Sequence, residues 1–311
     1  MKKINILITG GLGHIGSLLL QKIIKIKNLD HLYIIDNARS NNLNVLFNIN
    51  KNKKKIFFFQ SDLLEETSLK KITKSIDVVI HLASITNAEQ SFKIKKLLFK
   101  NNFGIFKNIV KFCIKKKSKL IHLSSTSVYG TSSKVVNEDT KDLKPQSPYA
   151  HEKLLEENFL KKNKNKLNYI TLRLGTITGI SKGMRFHTAV NKFCLNTILK
   201  VDIPIWNNAM DQHRPYLSLD DAIRSIIFII KKNLFDKEIY NILTGNYTVR
   251  QILKIIQKQK YRIKIKKVKS PILNQNSYHV SGKKFDKFGL KFNKNIENDI
   301  KNTLDILKAL Y

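Results

Sequence analysis

The stretch ILITGGLGHIGSLLLQKI, residues 6–23, sets four glycines between an apolar, β-branched run and an amphipathic one. A strand, a turn over Thr9 to Gly13 and a helix opening near His14 follow from that pattern. Backbone amides at the start of a helix face outward unpaired, and with glycine on the turn no Cβ blocks the approach of a phosphate. From Gly11 the spacing reads G-x-G-x-x-G; from Gly10 it reads G-x-x-G-x-x-G, and the residues alone leave both open. Asp36 closes a second apolar run 20 residues after Gly16. A carboxylate there can accept hydrogen bonds from an adenosine ribose, and it repels a 2′-phosphate. The expected ligand is therefore NAD rather than NADP, although Arg39, three residues on, is a cation that could pair with such a phosphate.

Further short apolar runs recur at 32–35, 56–59, 77–82, 119–123 and 169–173, with helical patterns near 14–27, 67–75, 102–116 and 149–163. Strands buried on both faces and joined by helices predict an α/β fold, a Rossmann-type doubly wound parallel sheet, over residues 1–175. Residues 176–311 read as a smaller mixed α/β region for substrate, with a loop-rich stretch to 218 and a segment near 220–245 that could return to the sheet. Helices are expected near 220–232, 248–259 and 296–310, around a basic strand at 261–269. Ligands of such folds lie outside the carboxyl ends of the strands.

A net charge of +34 suggests nucleic acid or an anionic surface, but its distribution argues otherwise. Runs such as KNKKK (51–55), KKK (115–117) and KKNKNK (161–166) fall at expected loops and helix ends without interleaved aromatic platforms. Solvated surface lysine explains them, and no specific nucleic-acid partner is expected. Cys113 and Cys194 each sit in an apolar helical pattern, which excludes a disulfide framework and a zinc site. With a strand beginning at residue 4 and IIFII (226–230) as the longest apolar run, neither a signal peptide nor a membrane span is expected, and the location implied is the cytoplasm.

In PQSPYAHEK, residues 145–153, Ser147 suits a helix N-cap and Pro148 its first position. Tyr149 and Lys153 follow at i and i+4, on one face. An adjacent ammonium and the positive end of a helix both favour a phenolate, so this tyrosine could exchange a proton with a sugar or alcohol hydroxyl.

Together with HLA (81–83), NNFG (101–104), LSSTSVYG (123–130), DQHRPYLSLDDA (211–222) and SGKKFDKFGLKF (281–292), these motifs resemble the extended short-chain dehydrogenase/reductase family in its nucleotide-sugar epimerase/dehydratase branch. The resemblance implies the G-x-x-G-x-x-G reading, with Gly10, Gly13, His14, Ile15 and Gly16 at the cofactor pyrophosphate. It implies Asp36 and Asn37 at the adenosine ribose, Asp62 and Leu63 at the adenine, and Leu82, Ala83 and Ser84 along the cofactor. Asn102 would order the central strands. Tyr149 would be the proton donor and acceptor, Lys153 the partner of the nicotinamide ribose that depresses its pKa, and Ser125 the hydroxyl on the reacting sugar oxygen. For the substrate it implies Thr126, Thr176, Arg185 and Arg214, the last on the phosphates. Homodimers through the helices at 102–116 and 149–163 are implied by the same likeness.

Two departures bear on the reaction. Dehydratases of this branch carry an acidic pair after the catalytic hydroxyl, where this chain has Thr126 and Ser127. Thr176 replaces an Asn, and Pro215 follows Arg214 in place of an Asp. The reading is an NAD-dependent nucleotide-sugar epimerase, with a dehydrogenase or ketoreductase next and a decarboxylase of nucleotide-activated uronic acids behind it. A non-catalytic dinucleotide-sensing module is disfavoured by the intact Ser-Tyr-Lys set.

Overall fold

The computed structural model describes residues 2–49, 55–269, 277–293 and 295–310. Seven parallel strands make the main sheet, in the order Ile239–Ile242, Tyr169–Leu174, Lys119–Ser125, Val78–His81, Ile4–Thr9, Leu29–Asp36, Lys55–Gln60. All neighbours pair in parallel, so the doubly wound Rossmann-type sheet is present. Strand order reverses between Ile4–Thr9 and Val78–His81, where Thr9 faces His81. The glycine turn opens at that switch point, where the loops leaving two strands diverge and a crevice is unavoidable.

Both faces of the sheet are covered. Helices His14–Ile23 and Leu219–Lys232 bury Leu19, Leu20, Ile223 and Ile226 against Ile6, Ile8 and Ile34 on one face. On the other, Lys95–Lys116 and Pro148–Lys162 bury Phe106, Ile109 and Leu160 against Leu7, Val79 and Leu120. Truncating an enclosed aliphatic of this kind costs roughly 2–5 kcal/mol, so two such layers can carry the polar groups that the site buries between them.

The C-terminal half re-enters this sheet through Ile239–Ile242, beside Tyr169–Leu174. Its remainder forms a separate core around Val190, Phe193, Ile252 and Leu304, from helices Ala189–Ile198, Val249–Lys258 and Glu297–Leu310. The stretch from 176 to 218 is more regular than its sequence suggests. It holds strands Thr176–Thr178, Ile203–Trp206 and His213–Ser218 besides the first of those helices. Strands of three or four residues are too short to show alternation, and Asn and Lys dilute the helical stripe of Val190, Phe193, Cys194 and Thr197. The basic run after Tyr261 forms a strand only over Ile265–Val268.

Lys115–Lys117 and Lys161–Lys166 fall at helix ends, whereas KNKKK lies outside the described residues except for Lys55. Cys113 and Cys194 are buried free thiols. Among the described residues, no helix is long and apolar enough to cross a membrane, and no cluster of His, Cys, Asp or Glu could hold a metal ion.

Candidate active site

A cleft of about 460 Å³ opens at the switch point, lined on one side by Gly10, Gly13, His14, Ile15 and Gly16. Gly10 has φ +70°, and a Cβ on it would stand 2.5 Å from the Ala83 backbone nitrogen. On Gly16 a Cβ would meet the Gly11 and Gly10 carbonyl oxygens at 2.5 and 2.6 Å. The turn is thus closed on itself at the first and third glycines of the G-x-x-G-x-x-G reading. Gly13 is the helix N-cap and offers no side chain to the first amides, which leaves their donors for an anion. These features fit the pyrophosphate of a dinucleotide. Burial, and then Arg185 and His187, push the His14 imidazole down to about 4, so it is neutral, with Nδ1 2.8 Å from Ser181 Oγ.

Asp36 ends its strand with the carboxylate pinned, accepting from the Leu12 amide at 3.0 Å and the Ala38 amide at 2.8 Å. Asn37 accepts from the Arg39 amide, and Asp62 from the Leu64 amide. Leu63 is buried in the sheet's second face. These four lie beyond the main cleft, which is lined instead by Leu82, Ala83 and Ser84. Asn102 is buried behind that wall. It accepts from the Ile85 amide at 2.9 Å and donates to the Ile85 carbonyl and to Ser84 Oγ, both at 3.0 Å, so it fixes the loop that leaves Val78–His81.

Ser125, Thr126, Tyr149 and Lys153 meet on the cleft floor. Ser125 ends its strand and its Oγ accepts from the Ser127 hydroxyl at 2.9 Å. The Thr126 hydroxyl donates to the Leu174 carbonyl at 3.2 Å, which ties one possible substrate contact to the scaffold. Ser147 caps the next helix by accepting from the Ala150 amide, with Pro148 in the first turn, and this aims Tyr149 and Lys153 into the cleft. Lys153 Nζ lies 5.9 Å from the Tyr149 ring centre.

Lys153 pulls the Tyr149 phenol downward, as the spacing implies. Burial raises the Tyr149 phenol above its ordinary value, and the opposing pull of Lys153 does not reverse this. Burial is the largest cause, and Glu152 and Glu156 add to it; both are buried beside Lys153 Nζ, at 3.8 and 2.6 Å. Sequence reasoning missed these acids, although their positions at i+3 and i+7 from Tyr149 place them on its helical face.

Thr176 and Arg214 line the far wall. Arg214 donates to the His213 carbonyl and to Gln212 Oε1, both at 2.9 Å, and stacks over Tyr278. Arg185 reaches back over the glycine turn: it donates to Thr86 Oγ1, and its Nη2 lies 3.6 Å from the place of a Gly13 Cβ. Gly183 packs so tightly on Gly13 that a Cβ would fall 2.5 Å from that backbone. Lys192, another cleft cation, is marked by no motif in the sequence. Lys153, Arg185, Lys192 and Arg214 face the cleft against one lining carboxylate, Glu89, at its exposed rim. Such a field suits a polyphosphate ligand.

Residues 6–242 match the family model for the NAD dependent epimerase/dehydratase family. The chain belongs to that family. Its fold and its cofactor, NAD, are those of this group of extended short-chain dehydrogenases/reductases, and it is an enzyme of that kind. Among its relatives is the ADP-L-glycero-D-manno-heptose-6-epimerase of Brachyspira hyodysenteriae, 26% identical over 78% of this chain and 76% of that one. Another is the dTDP-D-glucose 4,6-dehydratase of Dictyostelium discoideum, 29% identical over 77% of this chain and 58% of that one. A solved structure of UDP-glucuronic acid 4-epimerase from Bacillus cereus, in complex with UDP-glucuronic acid and NAD, superposes with a TM-score of 0.88. It is 26% identical and covers 99% of this chain and 100% of that one.

Proposed function

We propose that this family member is an NAD-dependent epimerase of a nucleotide-activated sugar, inverting a hydroxyl-bearing carbon through a keto-sugar intermediate. The observation that carries this reading is the convergence of Ser125, Tyr149 and Lys153 beside the glycine turn, with Thr126 and Ser127 where a dehydratase has its acids. NAD, held at the glycine turn and by Lys153, would supply the hydride acceptor and donor for the sugar carbon. Tyr149 accepts the proton of the sugar hydroxyl and later gives it back. Ser125 holds the same oxygen, and Lys153 supplies the positive charge that limits the cost of the phenolate in this buried place. Arg214 and Arg185 take the phosphates, as planar guanidinium forks do well. With no carboxylic acid next to Ser125, nothing there protonates a leaving hydroxide.

Purified protein given nucleotide sugars and catalytic NAD should form a new stereoisomer by chromatography while absorbance of reduced nicotinamide stays flat. A stoichiometric rise in NADH would point to a dehydrogenase instead, and loss of water from the sugar would contradict the argument from Thr126 and Ser127. Turnover of no sugar at all, with NAD still bound, would leave the sensing module.

Cofactor choice follows from Asp36. Its pinned carboxylate should favour NAD over NADP by about tenfold or more in Kd, a difference of about 1.4 kcal/mol or greater, measured by calorimetry. Asp36→Ala should narrow the gap; equal affinities in the unaltered chain would refute the assignment.

A homodimer is part of the same proposal. The helices Lys95–Lys116 and Pro148–Lys162 lie side by side, and exposed Phe92 and Leu155 line a groove between them with Phe99, His151 and Leu154. Exposed apolar side chains in one continuous patch are what a second copy would cover. Sedimentation should show a dimer, and Leu155→Glu should shift it to monomer; a monomeric parent protein would end this idea.

A further inference from the structure

Beneath Tyr149 lies a polar cluster whose acids the proposed chemistry does not use. The helix Pro148–Lys162 carries Glu152, Lys153 and Glu156 inward, where all three are buried. Glu156 Oε2 accepts from Lys153 Nζ at 2.6 Å and lies 2.9 Å from His122 Nε2. Glu152 Oε2 accepts from Asn102 Nδ2 at 3.3 Å. The remaining oxygen of each acid, Oε1, is fully enclosed and receives no donor from the described residues. Two enclosed acid oxygens without donors thus stand on carboxyl groups that flank one ammonium, at 3.8 and 2.6 Å, and a single proton shared by the pair would relieve both.

Charge counting leads to the same arrangement. The charged and titratable groups that face the acids are Lys153, Tyr149 and Glu157 of their own helix, His122 of Lys119–Ser125 and His81 of Val78–His81. Glu157 is already engaged by Arg173, at 2.9 and 2.6 Å. Burial, and then Lys153, push His122 down to about 3, so its imidazole is neutral; burial holds His81 well below its ordinary value too. A neutral His122 has one ring proton, which must sit on Nε2 to meet Glu156, while the Thr171 hydroxyl donates to Nδ1 at 3.2 Å. Lys153 is then the one cation available to the two acids among the groups that face them. Two carboxylates against one ammonium would leave a net buried charge, at a cost of several kcal/mol.

We propose that Glu152 and Glu156 form a proton-sharing carboxyl pair, a positioning device that holds the Lys153 ammonium and sets the charge beneath Tyr149. Burial does most to raise the Glu152 carboxyl, Lys153 opposes it and Glu156 adds to it, leaving it at about 8. Below that pH the pair carries a single negative charge. Above it a second appears, draws the ammonium further from the phenol and opposes phenolate formation, since both acids already push the Tyr149 phenol upward. Activity should therefore fall on the alkaline side for a reason that does not lie in Tyr149 itself.

The pair is tested first without any substrate. Infrared spectra of the full-length protein, recorded from about pH 6 to about pH 10, should contain a protonated-carboxyl carbonyl band that disappears near pH 8 and is missing in Glu152→Gln. Absence of such a band in the unaltered protein would overturn the proposal whether or not the variant folds. The activity arm rests on the epimerase reading. In Glu152→Gln the alkaline fall of kcat should move to higher pH, and Glu156→Gln should lower kcat at neutral pH by roughly tenfold or more. An alkaline limb unmoved in Glu152→Gln would refute the role in positioning. A band that behaves as expected in a protein that turns over no sugar would refute the epimerase reading alone.

Discussion

Tyr149→Phe is expected to lower kcat by about 10²–10⁴-fold while leaving the affinity for NAD within about twofold. The loss is large because Tyr149 is the cleft-floor group placed to take a proton from a sugar hydroxyl: Ser125 lacks a base beside it, and Thr126 is turned to the Leu174 carbonyl. Binding is spared because the phenyl ring keeps the packing, while the glycine turn and Asp36, which hold the dinucleotide in this reading, lie on other elements. Steady-state kinetics with the sugar found to turn over, beside calorimetry with NAD, separate the two effects. Near-normal kcat in the variant would dismantle the catalytic assignment, since no other cleft-floor group is then placed to take the sugar proton. A loss of NAD binding without a kinetic defect would place Tyr149 in the cofactor site rather than at the sugar.

Most of the sheet was legible in the sequence because its inner strands, Ile4–Thr9 and Val78–His81 among them, are largely buried and so appear as apolar runs, while the half-buried edge strand Lys55–Gln60 still shows as the run IFFF. That legibility fails past residue 175. Thr176–Thr178 and Ile203–Trp206 are half-buried and short, and only their pairing with distant strands makes them strands. The site divides in the same way. Local grammar at Ser147 and Pro148 gives the helix that carries Tyr149 and Lys153, and the glycine spacing gives the turn. Electrostatics did not follow from spacing: the i, i+4 rule sees Lys153 beside Tyr149 but cannot weigh Glu152, Glu156 and His122, two of which share the helix face and one of which arrives from a strand. Likewise the closeness of Gly183 to Gly13, 170 positions apart, is a property of the folded chain alone.

The glycine turn yields the sharpest contrast, because its members are glycine for different reasons. Gly10 has a left-handed backbone, and an added Cβ would strike Ala83 N at 2.5 Å and Leu82 C at 2.7 Å. Neither can yield without disturbing the hydrogen bond from the Leu82 amide to the Thr9 carbonyl at 3.0 Å. Gly10→Ala should thus lose roughly 2–5 kcal/mol of stability as well as NAD affinity. Gly13 differs. Its φ of −75° suits any residue, and a Cβ would find its nearest neighbours at 3.4 and 3.6 Å, an ordinary contact distance. Gly13→Ala should unfold within about 0.5 kcal/mol of the unaltered protein by urea titration, while NAD affinity drops at least about tenfold, because the methyl group occupies the approach of the pyrophosphate to the helix N-terminus. If Gly13→Ala bound NAD as tightly as the parent chain, the pyrophosphate could not lie on this turn, and the cofactor residues assigned around it would need to be placed anew.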